Sequence, residues 1–288
     1  MVHISSNKGK RDWKIFSKDA RYYKVDESLV HGITTKALLY SDSDLPTVIT
    51  GKESKYRTDG RDLEVFGDVV ATFPDGFVIK SDYMQYLPDK KTLFVPTSFR
   101  VAALGNNDDD ENFNSLSDGL NYSIEDKIAV LPQNVITTST SVNEKGERQE
   151  TKIFSDYSVI WREKKLARYT MSDSSLVNKQ KFVQIREPGL DVKSRTVDLN
   201  YGKNQKQLDS ITAYEDVFLK EKTKDDTVFR NGKCGKAVFD RVKNKITLTE
   251  YPQVYQNDDT VTGKKIIIFR ETDIVKVERS NAFNQGSN

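Results

Sequence analysis

One pattern recurs along this 288-residue chain. A small or polar residue precedes alternating apolar and polar positions, a charged turn follows, and Leu or Ile opens the next alternating run. Five copies lie within residues 81–93, 120–128, 155–166, 194–208 and 235–248. Self-similarity at a period of roughly 35–42 residues is typical of stacked repeats, in which each unit buries its apolar face against its neighbours. The chain is therefore predicted to form a long body rather than a round one.

Alternation with a period of two residues dominates the chain. Residues 63–73 alternate apolar and polar side chains, residues 74–76 supply a Pro-Asp-Gly turn, and residues 77–81 alternate again, which predicts a β-hairpin. The C-terminal third repeats this arrangement, and strands at this spacing amount to roughly 24–30 over the whole length. Helical periodicity is rare, and residues 17–22 are the one stretch for which a helix is considered. These patterns predict an all-β protein.

Charge and composition exclude several classes of protein. The chain has 45 basic and 43 acidic residues, a formal net charge of +2, and the two signs are interleaved. It lacks the basic field that binds phosphate backbones, so we expect no nucleic acid as a partner. The apolar share of 36% is low for a compact globule of this length, whereas 10% aromatic residues argue against disorder. An elongated body with much surface for each residue accounts for both values.

The chemistry-bearing residues do not assemble into a recognisable catalytic set. The two histidines, His3 and His31, form neither a metal cluster nor a Ser-His-Asp triad, and His31 is expected in a structural turn. The single cysteine, Cys234, has Gly and Lys neighbours that could lower its pKa, but a small structural residue is the preferred interpretation. Nucleotide-binding glycine motifs do not occur, and carboxylates are too numerous for any pair to be singled out. We expect no enzymatic activity, no cofactor and no metal.

One break in composition divides the chain. Residues 105–112 are polar, acidic and rich in turn-forming residues. Their carboxylates suit calcium, but their spacing does not follow a calcium-binding loop, so a solvated loop is favoured. We take this break as the junction between two lobes, residues 1–110 and residues 111–288, with one continuous body as the alternative.

The last repeat carries the most specific signal. Its elements are Phe239-Asp240 behind small residues, Asn244, the strand Ile246-Thr247-Leu248, Pro252 with Val254 and Gln256, an acidic turn and Gly263. This series resembles the repeat of the OstA-like lipopolysaccharide transport family, which includes LptA and the periplasmic domains of LptC and LptD. All five copies of the repeat carry the resemblance.

The resemblance extends over most of the chain. Residues 116–280 are similar to LptA in length and repeat content, whereas residues 12–22 and 67–86 are similar to LptC. The chain thus looks like an LptC-like part joined to an LptA-like part. The membrane anchor of LptC is missing from these residues, and we expect an anchor or a signal to precede Met1 in the complete gene. The resemblance implies a periplasmic location, either free or anchored in the inner membrane through a segment outside this chain.

The fold that the resemblance implies is an elongated antiparallel β-jellyroll with an open apolar groove between two sheets. Alternation along the strands then selects the side chains that face the groove. They are Val65, Val69, Phe77, Ile79, Leu93, Val95, Ile128, Val130, Val159, Trp161, Val197, Leu199, Val217, Leu219, Phe239, Ile246, Leu248, Val254, Val261, Ile266 and Ile268. For any single position a sealed core is the simpler alternative. A bulge would exchange the two faces, and Gly67, Gly119 and Gly263 are the expected bulge or bend sites.

The function implied by the resemblance is that of a bridge protein that shields the acyl chains of lipopolysaccharide and passes it towards the outer membrane. Its partners would be lipopolysaccharide and other jellyroll proteins of the bridge, joined end to end by strand pairing, with a homo-oligomer as a further option. The expected docking strands contain Trp13, Ile15 and Phe16 at one end and Ile274, Val275 and Val277 at the other. The alternatives are a structural β-solenoid with a sealed core and no lipid and, more weakly, a carbohydrate-active solenoid.

Overall fold

The structure is a computed structural model. It describes residues 1–7, 10–23, 29–40, 45–57, 62–105, 113–142, 148–171, 181–201, 208–223 and 228–284. Within these ranges the chain forms 24 β-strands and one 3-10 turn at Pro88–Lys90, and none of the described segments forms an apolar helix of membrane-spanning length. The predicted antiparallel all-β class is confirmed. Residues 17–22 lie in a strand, so a helix there is wrong.

The chain divides into two compact units, Met1–Val135 and Ile136–Asn288. Residues 106–112, which contain the predicted junction at residue 110, lie outside the described residues. That junction therefore stays a prediction.

Unit 1 is a meander of long antiparallel strands in which each strand pairs with the next one along the chain. Its strands are β1 (Val2–Asn7), β2 (Lys10–Tyr22), β3 (Leu29–Leu39), β4 (Thr47–Arg57), β5 (Leu63–Thr72), β6 (Val78–Leu87), β7 (Thr92–Leu104), β8 (Phe113–Ser123) and β9 (Ile128–Leu131). The predicted turn at residues 74–76 connects β5 to β6.

The pairing register of the long strands in unit 1 shifts near the middle of each strand. At these shifts the buried positions often change between odd and even residue numbers. On β4 the buried positions are Thr47 and Ile49 before the shift but Ser54 and Tyr56 after it. A register shift leaves some residues without a cross-strand partner, and the strand bends there. After the bend, a different set of positions faces the interior. Each long strand thus contributes its two halves to two sections of sheet.

Two of the three predicted bulge or bend sites lie at register shifts. Gly67 has φ 70° and Asp68 has φ 48° at the register shift between β5 and β6. Gly119 has φ 79° opposite the shift in β7, in the left-handed region that suits glycine. Gly263 instead joins two strands, at a place where an added Cβ would lie 2.6 Å from Cγ1 of Val277. A bulky side chain there would push the two segments apart.

Unit 2 is built mainly from shorter strands. They are β10 (Gln133–Val142), which begins at the end of unit 1, β11 (Arg148–Ser155), β12 (Tyr157–Trp161), β13 (Leu166–Thr170), β14 (Val183–Glu187), β15 (Leu190–Ser194), β16 (Thr196–Tyr201), β17 (Leu208–Lys222), β18 (Phe229–Asp240), β19 (Lys245–Thr249), β20 (Gln253–Gln256), β21 (Asp259–Thr262), β22 (Lys265–Phe269), β23 (Ile274–Glu278) and β24 (Asn281–Asn284).

These strands form two antiparallel ladders that share β17 and β18. Ladder A runs β11, β14, β15, β17, β18, β20, β21, β24. Ladder B runs β12, β13, β16, β17, β18, β19, β22, β23. Left-handed backbone at Glu215 and Asp216 lets β17 turn from one ladder into the other. The chain therefore crosses repeatedly between two sheets at a shared corner, as in a jellyroll.

Small buried residues lie at such corners, and two of them, Ser155 and Ser194, open copies of the repeated phrase. The hydroxyls of Ser117, Ser155 and Ser194 each donate to the carbonyl two residues further on, over 2.8, 3.2 and 3.0 Å. All three side chains are buried, so this bond satisfies a hydroxyl that water cannot reach. Cys234 occupies the corresponding position in β18, between the half that pairs in ladder A and the half that pairs in ladder B. The phrase thus marks where a strand turns.

We expect Cys234→Ser to change the free energy of unfolding by less than about 1 kcal/mol, because a hydroxyl suits this corner. Cys234→Val, which cannot hydrogen-bond, is the matched control and should be less stable than the Ser variant. Burial raises the pKa of the Cys234 thiol to about 12. The folded thiol should therefore react with iodoacetamide at pH 8 far more slowly than the thiol in urea. Rapid labelling of the folded chain would contradict a buried corner residue.

The same pKa predicts a pH dependence of stability. The ordinary pKa of the thiol is 9.0, and in the folded chain it is about 12. Between these values the unfolded chain loses the thiol proton and the folded chain keeps it, so stability falls as the pH rises through this window. Urea titrations at pH 8 and pH 10.5 should show a larger loss for the wild type than for Cys234→Ser. Equal losses would mean that the thiol ionises as readily in the folded chain.

Candidate functional site

The interior of unit 1 is lined by apolar side chains on one face of its strands. All six positions predicted to face inward in this unit before β9 are buried, namely Val65, Val69, Phe77, Ile79, Leu93 and Val95. The register places Val65 opposite Met84 and Leu93 opposite Tyr86, so neighbouring strands present these side chains on the same face. The result is an apolar layer that continues from strand to strand.

The interior of unit 2 is formed by the inner faces of ladders A and B. Ten predicted positions are buried there, namely Val197, Leu199, Val217, Leu219, Phe239, Ile246, Leu248, Val254, Ile266 and Ile268. Val261 pairs with buried Val254 but is only half-buried, because β21 lies near the outer end of ladder A. Residues from most strands of both ladders thus contribute to one apolar layer.

Four positions predicted to face inward lie on the opposite face. They are Ile128, Val130, Val159 and Trp161, all of them half-buried. On β9 the buried side chains are Ala129 and Leu131, and on β12 they are Ser158 and Ile160. β9 is apolar at every position, so no polar residue sets the phase of its alternation, whereas on β12 the polar Ser158 faces inward, against the usual phase. The partner strands decide it, since Ala129 lies opposite the buried Tyr122.

Alternation does not predict several other inward residues, because a bulge separates them from the half-strand in which the alternating pattern begins. Examples are Tyr56, Met84, Tyr86 and Tyr122 in unit 1. They follow a register shift, after which the buried parity differs from that of the preceding half-strand. Glycines with left-handed backbone were the signal that could have located two of these shifts.

Each unit has an edge at which the hairpin turns of its two halves meet, and we call this edge the mouth. In unit 1 the mouth is closed by aromatic side chains. The ring centroid of Phe73, in the β5–β6 turn, lies 4.6 Å from that of Tyr122, which lies near the β8–β9 turn. Trp13 and Tyr56 make a second such contact, with centroids 5.8 Å apart. These rings join the two sections of sheet through apolar and edge-to-face contacts.

In unit 2 the mouth is closed by ions. Arg241 and Arg270, in turns at the end of ladder B, reach across to ladder A. Arg270 Nε lies 3.0 Å from Glu221 Oε1, and Arg241 Nη2 bonds Glu187 Oε1 and lies 2.6 Å from Thr151 Oγ1. We name Glu187, Glu221, Arg230, Arg241 and Arg270 the mouth cluster. It connects the free ends of the two ladders.

The mouth cluster is buried to an unusual degree for charged groups. Arg230 and Glu221 of ladder A, whose side chains are only 2% and 4% exposed, pair over 3.1 Å. Arg230 also bonds Gln256 Oε1 over 3.2 Å and the carbonyl of Asp273 over 3.4 Å. Buried ions persist only when partners and hydrogen bonds replace the lost water, so each member depends on the others.

Burial also changes the pKa of Arg241, a member of the mouth cluster. Desolvation lowers the pKa of Arg241, the Glu187 carboxylate opposes this, and the nearby Arg270 lowers it further. The Nε of Arg241 is buried and has no hydrogen-bond partner among the described residues. Arg241 thus remains a cation whose hydrogen-bonding capacity is not fully used.

The two strands expected to dock partners differ in the number of neighbouring strands with which they pair. β2, which contains Trp13, Ile15 and Phe16, pairs with β1 on one side and β3 on the other, so its predicted role as an edge strand is wrong. Trp13 and Ile15 are also buried. Within the described residues β23, which contains Ile274, Val275 and Val277, pairs only with β22. The second predicted edge is therefore an edge in the structure.

The remaining candidate groups have structural surroundings. His31 lies in strand β3, not in a turn, with Nε2 2.9 Å from Glu53 Oε2. His3 lies in β1 against the rings of Trp13 and Tyr56, and burial lowers its pKa. The described part of the chain holds no group of three or more His, Cys, Asp or Glu side chains placed to bind a metal ion. The acidic residues 106–112 lie outside it, so the solvated loop stays a prediction.

Fold and interior define the class of protein: an antiparallel all-β protein whose two units each enclose an apolar layer. The family model described as LptA/(LptD N-terminal domain) LPS transport protein matches residues 117–274, more than half of the chain. The chain therefore belongs to this lipopolysaccharide transport family. A second model, lipopolysaccharide-assembly LptC-related, matches residues 2–140. The two matches overlap at residues 117–140, and the boundary along the chain between the two units, after Val135, falls within this range.

Other comparisons add little to this assignment. No curated protein matches the chain. Among solved structures the chain is similar to LptH from Pseudomonas aeruginosa, described as the LptA homologous periplasmic component of the lipopolysaccharide transport device. The identity is 16%, the match covers 47% of this chain and 95% of that one, and the TM-score is 0.41.

The predicted resemblance to an LptC-like part joined to an LptA-like part is confirmed by the two family models. Membership of the lipopolysaccharide transport family gives the chain a role in lipopolysaccharide transport across the periplasm. Its families are transport proteins rather than enzymes.

Proposed function

We propose that this protein is a periplasmic bridge that holds the acyl chains of lipopolysaccharide between its sheets and passes the lipid towards the outer membrane. The observation that carries the proposal is the apolar layer inside each unit, formed by side chains such as Ile79 and Leu93 in unit 1 and Leu199 and Ile246 in unit 2. The two family matches name lipopolysaccharide as the cargo of related proteins.

The energetics suit a carrier. Each methylene of an acyl chain that leaves water contributes about 0.8 kcal/mol, so a few chains held along the sheet outweigh the loss of some side-chain contacts. A carrier needs no reaction, only a series of sites of similar depth from which the lipid can move on. The direction of transport would come from an energy-coupled transporter upstream.

A sealed scaffold is the competing function, and the closed mouths favour it. The Phe73–Tyr122 contact in unit 1 and the Arg270–Glu221 pair in unit 2 hold the edges together. A carrier must open these edges, whereas a scaffold never does.

Lipid extraction followed by mass spectrometry separates the two functions. The purified protein, incubated with lipopolysaccharide vesicles and freed of them by gel filtration, should retain lipopolysaccharide in a saturable amount. Protein boiled before incubation is the control for adsorption to exposed apolar residues. If no detergent-free condition loads the folded protein, the carrier function is wrong.

We also propose that β23 docks the next jellyroll protein of the bridge, or a second copy of this chain, by adding a strand to its free edge. Deleting residues 270–288 should abolish this association. That deletion also removes Arg270 from the mouth cluster, so proline substitutions are a cleaner test. Val275→Pro and Lys276→Pro remove adjacent backbone N–H groups, one of which points away from β22.

The variant that loses the outward N–H should keep its circular dichroism spectrum and thermal midpoint but associate at least about tenfold more weakly with LptA or with itself. Sedimentation velocity measures both associations. Val261→Pro, on a strand paired at both sides, is the control for general damage to the sheet. Undiminished association of both β23 variants would contradict docking at this edge.

The location of the protein is proposed to be the periplasm, either free or anchored in the inner membrane. The gene sequence before Met1 distinguishes these forms. A single membrane helix there favours an LptC-like anchored protein, and a cleaved signal favours a free LptA-like bridge.

A further inference from the structure

The mouth cluster joins ladders A and B at the edge where their hairpin turns meet. Glu187, Glu221 and Arg230 belong to ladder A, whereas Arg241 and Arg270 lie in turns of ladder B. Among the described residues, every ion pair that includes Arg241 or Arg270 therefore crosses the mouth. Arg230 crosses it as well, since its Nη2 lies 3.4 Å from the carbonyl oxygen and 3.8 Å from Oδ1 of Asp273 in the β22–β23 turn. Separating the ladders at this edge ends this contact and requires new partners for the guanidinium groups of Arg241 and Arg270.

The cluster is graded from an inner pair to an outer one. Arg230 is sealed, whereas the side chains of Arg241 and Arg270 are 14% and 21% exposed. The outer pair thus lies where the interior meets solvent. Arg241 Nε is the buried donor that has no hydrogen-bond partner among the described residues.

The carboxylates have partners within ladder A that do not depend on the outer arginines. Glu221 Oε2 accepts from Arg230 over 3.1 Å, and Glu187 Oε1 accepts from Thr151 Oγ1 over 3.2 Å. If Arg241 and Arg270 changed partner, both carboxylates would keep a hydrogen bond on their own side of the mouth. The cluster can therefore divide along the line between the ladders without leaving either carboxylate wholly unpaired.

We propose that Arg241 and Arg270 form a binding site for a phosphate-type oxyanion carried at the head of an acylated amphiphile, and that this oxyanion replaces Glu187 and Glu221 as their partner. A guanidinium presents a planar fork that fits phosphate oxygens two at a time, and a phosphate monoester carries more negative charge than a carboxylate. Binding the head thereby releases the link between the ladders and opens the mouth to the acyl chains. This inference rests on the proposed function, because the interior must accept those chains.

Unit 1 provides an internal contrast. The contacts across the mouth there include those of the Phe73 and Phe77 rings with Tyr122, at centroid distances of 4.6 and 5.9 Å. An oxyanion has no favourable exchange with such rings, whose faces are electron-rich. Recognition of the charged head is thus assigned to unit 2.

The test compares three probes on the full chain: a bisphosphorylated acylated disaccharide, the same amphiphile without phosphates, and inorganic phosphate alone. The wild type should bind the phosphorylated amphiphile at least about tenfold more tightly than the dephosphorylated one. Arg241→Gln and Arg270→Gln should remove this preference, and both variants should bind the dephosphorylated amphiphile at least as tightly as the wild type does, because fewer ion pairs then hold the mouth closed. Arg195→Gln is the matched control, since Arg195 pairs with Asp216 at an exposed corner, and it should keep the preference.

A second variant guards against simple unfolding of the arginine variants. Glu187→Gln removes the anion that competes for Arg241, so it should tighten binding of the phosphorylated amphiphile several-fold, and by more than it tightens binding of the dephosphorylated one. A merely structural ion cluster would show no such gain. Circular dichroism and thermal midpoints establish that each variant is folded.

The outcomes separate the two proposals. Equal binding of both amphiphiles by the wild type, or an unchanged preference in both arginine variants, would overturn the oxyanion site while the carrier function stands. Inorganic phosphate that competes as strongly as the amphiphile would show that free phosphate is the ligand, which also overturns the inference. Failure of both amphiphiles to bind would instead contradict the carrier function.

Discussion

Replacing Arg230 with Met should lower the free energy of unfolding of unit 2 by about 3–5 kcal/mol. The Arg230 and Glu221 side chains are 2% and 4% exposed, so the variant buries the Glu221 carboxylate with Arg270 as its remaining charged partner. Removing one member of a buried pair leaves the full desolvation penalty of the other. Urea denaturation, followed by tryptophan fluorescence and circular dichroism, measures the loss.

Two controls make this result specific. Arg195→Met breaks an ion pair whose side chains are 59% and 53% exposed, and it should cost less than about 1 kcal/mol. The double variant Arg230→Met with Glu221→Leu replaces both ions by apolar groups and should recover much of the lost stability. A loss for Arg230→Met no larger than that for Arg195→Met would show that the cluster is open to water.

Photo-crosslinking on adjacent positions of one strand should give the largest functional contrast. With p-benzoylphenylalanine at Ile160, which faces inward, we expect strong crosslinks to lipopolysaccharide. With the same group at Val159, which faces outward, we expect at least about tenfold less. The two positions share strand β12 and its surroundings, so they differ chiefly in direction.

A second matched pair repeats the test in unit 1, with Leu131 facing inward and Val130 outward on β9. The experiment also decides between the two phases of these strands. Stronger crosslinks at Val159 and Val130 would contradict the register, and no crosslink at any of the four positions would contradict an acyl-binding interior.

Alternation along the sequence predicts the buried positions correctly where a bulge inserts two residues, because buried positions then stay at odd or at even residue numbers. Val65 and Val69 both face inward because Gly67 and Asp68 insert two residues between them, so alternation continues across the bulge. On β4 the buried positions change from odd to even residue numbers at the register shift, so alternation did not predict that Tyr56 is buried. Alternation is a local property, whereas a bulge is set by the partner strand as well.

The sequence contains one indication of the mouth cluster. Glu221 follows Val217 and Leu219 at intervals of two, in phase with residues that face inward. Charged side chains on strands usually face water, but Glu221 is buried. Nothing local connects Glu187 with Arg241, which lie 54 residues apart and meet only when the two ladders close.

The sequence by itself determined the strand-rich class, the repeats, the turn at residues 74–76 and the transport family, because these depend on residue order over short stretches. Only the tertiary structure decided which side of β9 and β12 faces inward, which strands are edges, and that five charged residues close the mouth of unit 2. These features depend on partners that are distant in the chain, and the energy of a buried ion or a paired strand exists only once those partners are in place.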